Sequence, residues 1–160
     1  MRNVYLDTNV PSFLTTTRQD PASVFRRELT QKFWRGHGAK YRLFVSELVL
    51  AELTADAWPG RDEALAAVDA LLRLPVTPEV RRATEAYIRA RVMPDDARGD
   101  AAHYACASVH GMEIVLTWNI RHLANPGKTE RLAALNRRLG LSTPVVYTPE
   151  ALLEEDFDDG

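Results

Sequence analysis

At 160 residues, 46% hydrophobic and 26% charged, the chain is long enough for one sizeable core and has the composition of a soluble globular domain. No apolar run approaches the ~20 residues that cross a bilayer, and Asp7 interrupts at once the basic-then-apolar layout of a secretory leader. The single cysteine, Cys106, excludes an internal disulfide, disfavours a zinc–thiolate site and fits a reducing cytoplasm. The net charge of −2 conceals an asymmetry, because residues 154–160 hold five acids (Glu154, Glu155, Asp156, Asp158, Asp159) and no base. Without them the body stands at about +3, a balance compatible with nucleic acid that does not require it.

In chain order, Val4-Tyr5-Leu6 has the β-branched and aromatic composition of a short buried strand, and it runs into three polar side chains, Asp7, Thr8 and Asn9. A helix is expected over Pro21–Trp34, with Phe25, Leu29 and Phe33 on one face and Gly36 and Gly38 ending it. Tyr41–Val45 reads as a second strand. Ser46 caps the helix that follows, whose inner face is Leu48, Val49 and Leu53 and from whose edge Glu52 projects. Arg61–Leu72 is amphipathic, Leu74-Pro75-Val76 suits an edge strand, and Thr77-Pro78 opens another helix.

The polar break MPDDARG, containing Asp95 and Asp96, precedes a helix DAAHYACASVH closed by Gly111. Its small residues permit close packing on a sheet, and Asp100 at its start complements the helix dipole. Glu113–Trp118 is the most strand-like run of the second half, and Asn119 stands at its end. A helix over Thr129–Leu139, a strand over Pro144–Tyr147 and a final helical turn from Thr148 complete the chain. Alternating strands and helices predict a three-layer α/β/α sandwich with a mainly parallel central sheet. Residues 1–150 form the domain and 151–160 an acidic tail.

Two strand ends, Asp7 and Asn119, and two helix positions, Glu52 and Asp100, carry the candidate chemistry. Parallel sheets bind ligands at the C-terminal ends of their strands. No phosphate-binding glycine loop, zinc spacing or serine–histidine–acid order competes with this set. Oxygen donors without cysteine favour Mg²⁺ or Mn²⁺.

The stretches VYLDTNV, SELVLAEL, DAAHYACA and VLTWNIRHLAN, in this order and spacing, resemble the PIN-domain nucleases, and most of all the VapC-like toxins of toxin–antitoxin pairs. The resemblance covers nearly the whole chain, to about Glu150. It implies a PIN-like fold and a metal-dependent endoribonuclease acting on RNA. Asp7, Glu52 and Asp100 then match the family's first three acids. Asn119 falls where many members carry a fourth aspartate, preceded as here by a threonine, Thr117, and this departure leaves the second of two metal positions open. The implied cofactor is Mg²⁺ or Mn²⁺, held by Asp7, Glu52, Asp100 and Asn119, and three close carboxylates tolerate one another only with a cation between them. The implied partner is a cognate antitoxin; no membrane is implied, and a homodimer is left open. Asn9, His103, Thr117, Arg121 and His122 are expected beside the acids or against substrate, whereas Asp95 and Asp96 read as loop acids. Two further readings are a catalytically weakened PIN-type RNA-binding or scaffold module and a DNA nuclease.

Overall fold

A computed structural model of the chain describes residues 1–93, 98–119 and 126–159. Five strands form one sheet: β1 (Arg2–Leu6), β2 (Tyr41–Ser46), β3 (Leu72–Leu74), β4 (Ile114–Leu116) and β5 (Val145–Tyr147). Their order is β3-β2-β1-β4-β5, and every pairing is parallel. The α-helices are α1 (Asn9–Thr15), α2 (Pro21–Lys32), α3 (Glu47–Thr54), α4 (Arg61–Asp69), α5 (Pro78–Arg89), α6 (Arg98–Val109), α7 (Pro126–Leu139) and α8 (Pro149–Asp159). None of them is long and apolar enough to cross a membrane.

The strand order dictates the layering. The chain winds outward from β1 to β3, then returns across the sheet to β4 on the other side of β1. Right-handed crossovers in opposite directions put their helices on opposite faces. Contacts within each set agree: α1 packs on α2 and α4, α3 on α4 and α2 on α8, whereas α5 packs on α6 and α7. The sheet is therefore covered on both faces, and β1, at its centre, is apolar and wholly buried at Val4, Tyr5 and Leu6. The expected sandwich and its parallel sheet are present.

Element ends differ modestly from expectation. The helix over Pro21–Trp34 continues as a π-helical turn, Phe33–His37, and a 3₁₀ turn, Gly38–Lys40. The edge strand is Leu72–Leu74, two residues ahead of the expected run. Helix α6 begins at Arg98, which places Asp100 inside its first turn. The acidic end of the chain is helix α8, with Leu152 and Leu153 buried beneath it. Its Glu155 pairs with Arg2 at 3.6 Å, while Asp156 accepts from Tyr41 at 2.5 Å and meets His37 at 3.2 Å.

This winding creates a crevice. At β1 the direction of strand addition reverses, so Asp7 after β1 and Thr117 after β4 leave the sheet side by side. Ligands of open α/β sheets bind at such a switch point. Leu6 is in register with Leu116, so Asp7 and Thr117 are neighbours at its lip.

Candidate active site

Asp7 follows directly on β1, is 8% exposed, and is held from three sides. Its Oδ1 accepts the Thr8 backbone N–H at 2.7 Å. Its Oδ2 accepts the Thr117 hydroxyl at 2.8 Å and the Asn9 side-chain amide at 3.3 Å. The Thr117 oxygen in turn accepts Asn9 Nδ2 at 2.9 Å and the Asn119 backbone N–H at 3.0 Å. With both lone pairs engaged, that hydroxyl has its proton free only for Asp7. Asn9 completes the junction by accepting the Trp118 N–H at 2.9 Å. Asn9 thus contacts Asp7 and also staples the end of β1 to the end of β4.

Asp100 and His103 are one helical turn apart on α6 and face the same crevice. The Asn119 side-chain amide donates to Asp100 Oδ2 at 3.3 Å. Asp7, Asp100, His103, Thr117 and Asn119 line a small cavity of ≈ 20 Å³ together with Met93, Tyr104 and Val115. That is about the room of one water or ion.

Glu52 reaches this group through His103. His103 is 3% exposed, and its Nε2 lies 2.7 Å from Glu52 Oε1, 3.6 Å from Asp7 Oδ1 and 3.4 Å from Thr8 Oγ1. On the other side of the ring, Nδ1 is 2.6 Å from the Tyr5 hydroxyl, which is 2.7 Å from Ser46 Oγ. Ser46 Oγ already accepts the Leu48 N–H at 3.1 Å as the cap of α3. This hydroxyl chain serves either state of the ring. A neutral His103 takes the Tyr5 proton at Nδ1, and an imidazolium donates to the Tyr5 oxygen while Tyr5 donates to Ser46. In both states Nε2–H is left to point at Glu52.

Burial lowers the tendency of His103 to take a proton, but the hydrogen bond to Glu52 and the charges of Asp7, Glu52 and Asp100 outweigh it, and its pKa lies above the ordinary 6.5. For Glu52, burial raises the pKa, and the His103 contact with a hydrogen bond from Thr8 more than reverses that, leaving it below the ordinary 4.5. The Tyr5 hydroxyl is pushed well above its usual range, first by burial, and stays protonated.

Of the four expected metal ligands, Asp7, Asp100 and Asn119 thus share one cavity, and Glu52 is joined to them by His103. Among the described residues, no three His, Cys, Asp or Glu side chains are arranged to hold a metal ion. Asp7 and Asp100 offer carboxylate oxygens to the cavity, the donor type that Mg²⁺ takes with water and phosphate, whereas Asn119 turns its Nδ2 towards Asp100. Thr117 and His103 stand beside Asp7, while Arg121, His122, Asp95 and Asp96 lie outside the described residues. Sequence reasoning missed Tyr5 as the residue that orients His103, and saw Ser46 only as a cap. It also missed Arg26, whose guanidinium lies 5.2 Å from the Phe13 ring centre and 5.8 Å from that of Trp118.

A family model described as PIN domain matches residues 4–128. The chain belongs to the PIN-domain family. The match runs from Val4 within β1 past β4, and takes in Asp7, Glu52, Asp100 and Asn119. Among solved structures, the fold is similar to VapC20 of Mycobacterium tuberculosis, a sarcin–ricin loop cleaving toxin, with a TM-score of 0.53 and 18% identity over 76% of this chain and 93% of that one. It is also similar to VapBC2 from Rickettsia felis, solved bound to a DNA fragment from its promoter, with a TM-score of 0.51 and 13% identity over 91% and 98% of the two chains. No curated protein matches the sequence.

Proposed function

We propose that this PIN-domain protein is a metal-dependent endoribonuclease and the toxin of a toxin–antitoxin pair. One observation carries the reading: Asp7, Asp100 and Asn119, distant in sequence, meet in one cavity at the switch point of the sheet. Likeness to VapC20, a sarcin–ricin loop cleaving toxin, favours RNA as the substrate. Asp7 and Asp100 would hold Mg²⁺ or Mn²⁺ with the carbonyl oxygen of Asn119, and Glu52 would join on leaving His103. When bound, such an ion neutralises the acids, polarises a phosphodiester and lowers the pKa of water.

The chain's own groups supply orientation. Thr117, Asn9 and the Thr8 N–H fix the positions of both oxygens of Asp7. His103 keeps Glu52 within reach of the acids. Arg26, beside Trp118 at the rim, presents a cation to a phosphate backbone. An antitoxin would quench such a site by offering an arginine to the carboxylates.

The test is cleavage of labelled RNA by the purified protein with Mg²⁺ or Mn²⁺, with and without EDTA. Cleavage that EDTA abolishes and that Asp7→Asn lowers about 100-fold or more is expected. Cleavage unchanged by either would overturn the reading. The neutral Asn119 and the pairing of Glu52 with His103 also suit a non-cleaving RNA-binding module. RNA binding without cleavage at any metal concentration would favour that module.

A further inference from the structure

Away from the crevice, α2 and α8 lie side by side and enclose a groove of ≈ 470 Å³. Phe25, Leu29 and Lys32 line it from α2, and Glu150, Leu153, Glu154, Phe157 and Asp158 from α8. Its two aromatic side chains are open, with Phe25 47% and Phe157 84% exposed, beside a buried Leu153. An exposed aromatic at a groove is a feature of interaction sites. The α8 wall adds a charge pattern: Glu150, Glu154 and Asp158 recur every four residues and form one acidic stripe. Among the described residues no base lies within ion-pair distance of these three, in contrast to Glu155 and Asp156 on the inner face of the same helix. The stripe belongs to residues beyond the family match, which ends at 128.

We infer that this groove docks an amphipathic helix of a partner protein, one with an apolar face flanked by lysines or arginines. The acidic stripe excludes nucleic acid, whose phosphates it repels. A second copy of the chain fits poorly, since a two-fold contact through this groove would set one acidic stripe against another. Both walls are helices with their backbones already hydrogen-bonded, so an added β-strand has no edge to pair with. From Glu150 to Asp158 the stripe rises about 12 Å. A two-turn segment with apolar anchors three or four residues apart spans it, its basic residues meeting the stripe. The Phe25 ring, 6.4 Å from that of Trp118, links this groove to the rim of the crevice. The inference is independent of the nuclease reading.

The experiment uses the full-length protein and two synthetic helical peptides with the same leucine and phenylalanine face, one flanked by lysines and the other by glutamates. Binding is read by fluorescence anisotropy at low and high salt. The lysine peptide is expected to bind at least about tenfold tighter than the glutamate peptide and to weaken as salt rises. Glu154→Lys/Asp158→Lys should reverse that preference. Phe157→Ser should weaken both peptides, and all variants should melt like the parent because these side chains are exposed. No binding, equal affinity for the two peptides, or a preference untouched by the charge reversal overturns the inference. Sedimentation that shows a dimer lost in Phe157→Ser would assign the groove to a second copy and also overturn it.

Discussion

Thr117 has one hydroxyl proton and two lone pairs, and each is engaged, by Asp7, Asn9 and the Asn119 backbone. Thr117→Val preserves the shape and removes all three contacts. In a site this buried, unsatisfied donors and acceptors cost about 1–3 kcal/mol. Urea denaturation should show a loss of that order, with Mn²⁺ affinity lowered in parallel, whereas Thr117→Ser should restore most of both. A serine that fails to rescue would mean that the methyl group, and not the hydroxyl, is what the site uses. Asn119 argues differently, because it donates to Asp100 and adds no charge. Asn119→Asp replaces that donor with a further carboxylate, so the metal-free protein should melt lower. With the ion present the added charge strengthens its attraction, so Mn²⁺ should raise the melting temperature of this variant more than that of the parent. Equal metal-induced shifts would place Asn119 outside any metal shell.

Among the elements, α8 and the α1–α4 junction separate what a sequence displays from what only packing decides. The strands and helices were legible because hydrophobic periodicity is local, and β1 was read from three adjacent residues. The ligand candidates were legible for the same reason, each standing at the end of a strand or on a helix edge. What the sequence could not display is the Tyr5–His103 contact, which joins residues 98 apart across the sheet. Nor does composition distinguish a solvated acidic tail from α8, whose Leu152 and Leu153 are buried. Each such leucine contributes about 1.5–3 kcal/mol by burial. Deleting residues 149–160 should therefore destabilise the protein by several kcal/mol in denaturant melts, and an unchanged midpoint would show α8 to be dispensable. At the other junction Gly60 has φ +96°, and a Cβ there would lie 2.3 Å from the Thr15 carbonyl oxygen. Gly60→Ala must strain the backbone or separate α4 from the end of α1. A destabilisation of about 1–3 kcal/mol is expected from the same melts.

At the scale of the whole molecule, the pairing of a buried histidine with a half-exposed glutamate ties stability to pH. The folded-state pKa of His103 is raised above 6.5, so its contribution is fully present below that value and is lost as pH rises through the folded pKa. The folded-state pKa of Glu52 is lowered, so its contribution is present above 4.5 and is lost as pH falls through the lowered value. The two overlap between those ordinary values, and there the ion pair is complete. Glu52 keeps 46% of its side chain exposed, so solvent screening holds the pair to about 1 kcal/mol or less. Melts of the protein in EDTA should therefore reach their highest temperature near pH 5–6 and decline by a few degrees towards pH 8. His103→Asn removes the titrating ring and retains a donor for Glu52. It should melt lower at pH 6 and flatten the decline above it. A variant whose melting temperature falls with pH as steeply as that of the parent would show that the alkaline loss arises elsewhere.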